Sequence, residues 1–227
     1  MSEFTLAELV GYEDVEARST EALASCVVHQ GGMARVIILS TDQSSSSTGL
    51  SVFDDGELIY YELIEMKKTT SKKITDMVLK EEEHLYQVTM PEIIYKNILN
   101  RICIVSDRIE YLIDKYRPNV IYMEDIFSSQ NVKSEFNLAR LQGFVLHICH
   151  KKVIPIKIVA ENTWINHWGK YDKKIKRPER KKDIMRKVNE WYDLSLTVND
   201  VSDAIAIGRY AVSLEESKTK GVKNNYD

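Results

Sequence analysis

Cysteine is scarce in this chain. Cys26, Cys103 and Cys149 are far apart, odd in number and never in a C-x-x-C pair. That argues against both a disulfide framework and a cysteine-based zinc site, and it fits a reducing, cytoplasmic setting. No apolar run approaches the ~20 residues needed to cross a bilayer, and 29% of the residues are charged, so nothing suggests membrane insertion. The serines at 44–47 lack the Gly-Lys-Ser/Thr ending of a nucleotide phosphate loop. No internal repeat is visible. Residues 1–32 show neither an Arg-rich presequence nor a secretory core followed by small residues, and are expected to form an extension that the chemistry does not need.

What is present suits one α/β domain. With 227 residues and 44% hydrophobic content, the chain can bury one sizeable core. That domain is expected over residues 33–215, with a polar tail at 216–227. A β-branched apolar strand at 36–39 is followed by a second at 50–53, and Asp54-Asp55-Gly56 predicts a hairpin turn into a third at 57–65. Residues 67–90 are polar and weakly periodic, which predicts a loop with a helical stretch near 74–84. Pro91 opens a long helix carrying Ile94, Ile98, Ile102, Val105, Ile109 and Leu112 on one face. Further elements are a short buried strand at 120–123, a helix at 133–150 with Phe136, Leu141, Phe144 and Ile148 inward, a strand at 153–159, and helices near 180–192 and 201–214. This order predicts a mixed sheet flanked by helices.

Charge is unevenly distributed. Residues 170–187 hold ten Lys or Arg against three acids, a local balance of +7, which leaves −10 on the rest of a chain whose net charge is −3. A basic stretch on an acidic protein is what a local phosphate contact requires, and a solvated helix face is the alternative.

Four acids stand where acids are hard to justify structurally. Asp42 ends one apolar strand and Glu124 ends another, while Asp200 and Asp203 lie three apart at the start of the last helix and so share a face. Carboxylates gathered at the ends of neighbouring buried strands repel one another unless a cation joins them. An all-oxygen donor set favours a hard divalent ion such as Mg²⁺ or Mn²⁺ over zinc. Taken singly, each acid has a structural alternative: Asp200 as a helix cap, Asp203 as a first-turn charge, Asp42 as an Asx-turn residue.

Together, the motifs resemble those of the RuvC-type Holliday-junction resolvases of the RNase H-like superfamily. Ile37-Ile38-Leu39-Ser40-Thr41-Asp42-Gln43-Ser44 with Thr48-Gly49 is similar to the family's first-strand motif. Ile121-Tyr122-Met123-Glu124-Asp125-Ile126-Phe127 resembles its second acidic motif, and Asn131, Asn137-Leu138 and Gln142-Gly143 echo the helix that follows. Asp200-Val201-Ser202-Asp203-Ala204-Ile205-Ala206-Ile207 resembles its D-x-x-D-A-h-A-h ending, where h is apolar. The resemblance implies an RNase H-like α/β fold with a mixed five-stranded sheet. It implies that Asp42, Glu124, Asp200 and Asp203 hold two Mg²⁺ ions, replaceable by Mn²⁺, in a homodimer that nicks branched DNA in pairs and leaves 5′-phosphate ends. Lys181 is the counterpart of the family's catalytic lysine, with an ordinary helix-start lysine as its alternative. Phe127 matches the aromatic that unstacks bases at the junction centre, with core packing as its alternative. Lys173, Lys174, Arg180 and Lys182 are the expected phosphate contacts.

Gln43, the serine-rich turn, the 67–90 segment and the insert at 165–180 depart from the cellular pattern and resemble divergent bacteriophage resolvases. They put the cleavage-sequence preference in doubt. A less selective branched-DNA or flap nuclease, and a non-catalytic nucleic-acid-binding module, are the competing functions. The intact acid set disfavours the second, and absence of a further Gly-rich phosphate motif disfavours an actin-like ATPase. His147 and His150 lack a third metal ligand and read as surface or capping residues. Trp164, Trp168 and Trp191 are stacking candidates, Trp191 fitting a core position better.

Overall fold

The computed structural model describes residues 35–126, 132–169, 171 and 175–223. The extension at 1–32, Phe127, Asn131, Lys173 and Lys174 lie outside the described residues. Among the described residues no helix is long and apolar enough to cross a membrane.

The strands are β1 (Ile37–Asp42), β2 (Ser47–Asp54), β3 (Glu57–Thr69), β4 (Val78–Glu82), β5 (Leu85–Pro91), β6 (Val120–Glu124) and β7 (Ile156–Val159). The helices are α1 (Glu92–Lys96), α2 (Ile98–Tyr116), α3 (Val132–Lys152), α4 (Glu161–Trp168), α5 (Arg177–Tyr192) and α6 (Asn199–Lys223). The strands form one mixed sheet in the order β4-β5-β3-β2-β1-β6-β7. The β1–β2–β3 meander is antiparallel, whereas β6 and β7 run parallel to β1. Asp55 and Gly56 turn the β2–β3 hairpin with φ of 46° and 88°, the left-handed backbone that Asp-Gly turns supply at low cost.

Side-chain alternation splits the core in two. Leu39, Ile121 and Met123 face α2 and α3, which contribute Ile102, Val105, Ile109, Leu112, Leu141, Val145 and Ile148. Ile38, Val120 and Tyr122 face α4, α5 and α6, which contribute Trp164, Ile165, Ile184, Val188, Val201 and Ile205. Because successive strand residues point to opposite faces, both sides of β1 and β6 are covered, which is why these strands read as continuous apolar runs.

Several expectations need correction. The sheet has seven strands, not five. The 67–90 segment is not a helical loop: β3 runs on to Thr69, and β4 and β5 form an antiparallel hairpin with β5 parallel to β3. The helix from Pro91 breaks at Asn97, whose side chain accepts from the Leu99 N–H at 3.1 Å and caps α2, as short polar side chains do at helix starts. On α3, Phe136 and Phe144 point outward, 63% and 44% exposed, and the inward stripe is Leu141, Val145, Ile148 and Cys149. Helix α6 continues to Lys223, beyond the end expected near 214.

Helix α6 lies unusually close to the sheet. A Cβ on Gly208 would overlap Phe53 and Ser40, and one on Gly49 would overlap the Asp200 backbone. The Ala204 carbonyl accepts hydrogen bonds from Ser40 Oγ at 2.8 Å and Ser51 Oγ at 3.1 Å. These contacts fix where the α6 N-terminus, and therefore Asp200 and Asp203, stands above β1 and β2. Gly49→Ala is accordingly expected to push the two apart, costing about 1–3 kcal/mol as overpacking does. A urea melt will show it as a lower midpoint at unchanged slope; an unshifted midpoint would mean that the helix is free to retreat.

Candidate active site

Parallel pairing of β1 with β6 brings two strand ends side by side, so Asp42 and Glu124 emerge at the same end of the sheet. Gln43 follows Asp42 and donates from Nε2 to the Glu124 carbonyl at 3.3 Å. The start of α6 arrives from the other side. Its Asp200 carboxylate accepts a hydrogen bond from Ser47 Oγ. Lys181, from α5, hydrogen-bonds Asp203 and lies 3.8 Å from Asp42 Oδ2. Asp42, Gln43, Glu124, Asp125, Arg177, Lys181 and Asp200 line a cleft of about 280 Å³. Asp203 sits behind it, fully buried.

The electrostatics of this cluster are adverse. Burial raises the Asp42 pKa well above the ordinary carboxylate value, with the Glu124 charge adding to it and Lys181 opposing it. Burial likewise raises Glu124 and pushes Asp203 up to about 7 despite Lys181. The Asp42 and Glu124 carboxylates therefore crowd like charge at two adjacent strand ends, which favours positive charge between them. Burial works against the Lys181 ammonium too, but Asp203 and Asp42 outweigh it and hold its pKa above the usual lysine value. Among the described residues, no group of three or more His, Cys, Asp or Glu side chains is closed around one point as a ready-formed metal cage. Lys181 supplies positive charge beside Asp203 and Asp42.

The donors nonetheless fit a hard divalent cation. All four are carboxylates, and Asp203 Oδ1 is buried with no hydrogen-bond partner, an arrangement that is costly unless a bound cation or water satisfies it.

A stability consequence follows from the sign of the Asp42 shift. An acid whose folded pKa exceeds its unfolded value of 3.8 loses folding free energy as pH rises from the unfolded value through the folded one. With a chelator present at pH 8, Asp42→Asn is therefore expected to melt above the wild type, by about 2–4 °C for each kcal/mol relieved. Scanning calorimetry reads this directly; a lower melting temperature would show that the ionised Asp42 is net stabilising through Lys181.

The remaining expected residues divide. Arg180 donates to Asn162 Oδ1 at 3.4 Å, with its Nε buried and unpartnered, and Lys182 is exposed; neither lines the cleft. His147 and His150 are exposed on α3. Trp164 is fully buried and donates from Nε1 to Glu124 Oε1 at 3.1 Å, so it orients a carboxylate and does not stack on bases. Trp168 and Trp191 pack together at 4.9 Å between ring centroids, with Arg209 over the Trp191 ring. Sequence reasoning missed Ser47, Arg177 and the Glu124 role of Trp164. A tryptophan five residues beyond a strand that pairs with the Glu124 strand was the available signal for the last.

The family model for the crossover junction endodeoxyribonuclease RuvC matches residues 83–209, more than half of the chain. This chain belongs to the RuvC family. The match takes in Glu124, Lys181, Asp200 and Asp203, and the fold brings Asp42, outside it, to the same place. RuvC of Dictyoglomus turgidum is 34% identical over 58 residues, 25% of this chain and 37% of that protein. RuvC of Leifsonia xyli is 27% identical over 77 residues, 33% of this chain and 37% of that protein. The chain spans little more than a third of the length of these curated relatives. Among solved structures, Thermus thermophilus RuvC in complex with a Holliday junction substrate superimposes with a TM-score of 0.54 at 14% identity, covering 80% of this chain and 96% of that one. A second structure of Thermus thermophilus RuvC gives 0.51 at 14% identity, covering 80% and 97%. At that identity the likeness is one of fold, the RNase H-like mixed sheet with helices on both faces.

Proposed function

We propose that this RuvC family member is a metal-dependent endonuclease that resolves four-way DNA junctions by paired nicks leaving 5′-phosphate ends. The convergence of Asp42, Glu124, Asp200 and Lys181 on one cleft, with Asp203 buried behind it against Lys181, carries the reading. Burial makes an uncompensated carboxylate cluster costly, and a fold that keeps one at the ends of two adjacent strands has a use for cations there. The four carboxylates would hold two Mg²⁺ ions, with Mn²⁺ as a substitute. When bound, such a pair supplies an activated water nucleophile and stabilises the departing 3′ oxygen.

The chain's own groups supply the rest. Trp164 fixes the Glu124 carboxylate and Ser47 fixes Asp200, so two ligands are oriented before any substrate arrives. Lys181 remains charged at neutral pH and can exchange its carboxylate partners for a phosphate oxygen, placing positive charge where the phosphorane-like charge develops. Phe127, Lys173, Lys174, Arg180 and Lys182 are proposed to contact the DNA outside the cleft. Residues 33–215 would form the nuclease domain, with 1–32 dispensable. A homodimer would present two clefts to two symmetric strands, in a cytoplasmic setting.

The test is cleavage of a synthetic four-way junction, a flap and a matched linear duplex in Mg²⁺. Junction-selective, chelator-sensitive cutting is expected. Equal cutting of the flap would favour a less selective branched-DNA nuclease, and binding without cutting would remove the catalytic reading of the four acids.

A further inference from the structure

Arg177 opens α5 one turn before Lys181, and residues four apart share a helix face. Both line the cleft with Asp42, Glu124 and Asp200, and they are its cationic residues. Arg177 differs from the other basic residues near the insert in how it is held. Its Nε donates to Glu161 Oε1 at 2.7 Å, and the Glu161 side chain, at the first turn of α4, is only 6% exposed while that of Arg177 is 48% exposed. One N–H of the fork is thus anchored on a buried carboxylate, and the guanidinium stays open to the cleft. The same short helix holds Glu124 through Trp164, so α4 sets both a carboxylate ligand and this arginine in one frame.

A guanidinium presents its donors in a planar fork that suits two phosphate oxygens at once. The Cβ atoms of residues four apart on a helix are about 5–6 Å from each other, comparable to the step between neighbouring phosphates on one strand. We infer that Arg177 grips the phosphate next to the scissile one, on the strand being cut, and sets that strand's register over the four carboxylates. This rests on the nuclease reading above and adds a residue that the motifs do not include.

Counterion release gives a readout that a merely structural role would not move. Each phosphate contact contributes about 0.9 to the slope of log affinity against log salt. The experiment measures binding of a fluorescent four-way junction to the full chain carrying Asp42→Asn, between about 50 and 200 mM salt. Adding Arg177→Met is expected to lower the slope by about one and weaken binding about tenfold or more, and Arg177→Lys is expected to restore the slope. Because Arg177→Met strands a buried Glu161, the pair Arg177→Met with Glu161→Gln is measured beside it and is expected to show the same loss of slope. An unchanged slope in Arg177→Met, or a slope recovered in the paired variant, would mean that Arg177 only neutralises Glu161 and would overturn the inference. If the Asp42→Asn parent binds neither junction nor duplex, the nuclease reading itself falls.

Discussion

Asp42→Asn and Glu124→Gln should each lower junction cleavage by about 10³-fold or more, equivalent to about 4 kcal/mol of transition-state stabilisation, while leaving junction binding in place. Both carboxylates sit at strand ends held by the β1–β6 ladder, so the amides preserve shape, keep one acceptor oxygen and remove the charge. With one ligand neutralised, the cleft would attract a cation less strongly and orient it less well. Asp42→Asn is the cleaner substitution, because Lys181 is bonded to Asp203 and lies further from Asp42. Asp203→Asn would also strand that lysine and lower stability. Single-turnover rates under saturating protein separate chemistry from binding. Retained cleavage in both variants would place the chemistry elsewhere.

Arg108→Met should destabilise the fold by about 3–5 kcal/mol, the usual result of leaving one member of a buried ion pair alone. Arg108 on α2 donates from Nε to Glu62 Oε2 at 2.9 Å and from Nη2 to Glu62 Oε1 at 2.6 Å, and Glu62 on β3 is fully buried. Tyr60 donates to the same carboxylate at 2.7 Å. Arg108 also reaches Glu81 of β4 at 2.8 Å and stacks over Tyr86 of β5. One guanidinium therefore ties the added hairpin and β3 to α2. Replacing both partners, Arg108→Met with Glu62→Leu, should recover most of the loss, since no charge is left buried without its partner. Equilibrium unfolding of the two single variants and the pair closes the cycle; a pair as unstable as Arg108→Met alone would show that packing, not charge, is what the substitution removes.

The parts of the site that could be read in the sequence are those where an acid interrupts an apolar pattern. Asp42 and Glu124 end strands buried on both faces, and Asp200 and Asp203 precede a run of small and apolar residues that must lie close to the sheet. The spacing of those residues carries the information, because Ala204, Ala206 and Gly208 permit the approach. The hairpin was illegible for the opposite reason. All of Val78, Leu79, Lys80, Glu81 and Glu82 are exposed on an edge strand, so no alternation marks it. Phe136 and Phe144 misled because large apolar residues suggest a buried face, whereas α3 buries the stripe through Leu141, Val145 and Ile148. Arg177, Glu161 and Trp164 act through contacts between α4, α5 and β6, which no local period encodes.

The most direct test of the central claim maps where the cuts fall. A four-way junction labelled in turn on each of its four strands, incubated with the chain and Mg²⁺, should yield cuts on two opposite strands at symmetric positions, and the products should seal with ligase without further processing, as 5′-phosphate nicks do. Cuts confined to one strand, ends that resist ligation, or equal cleavage of the linear duplex would contradict it.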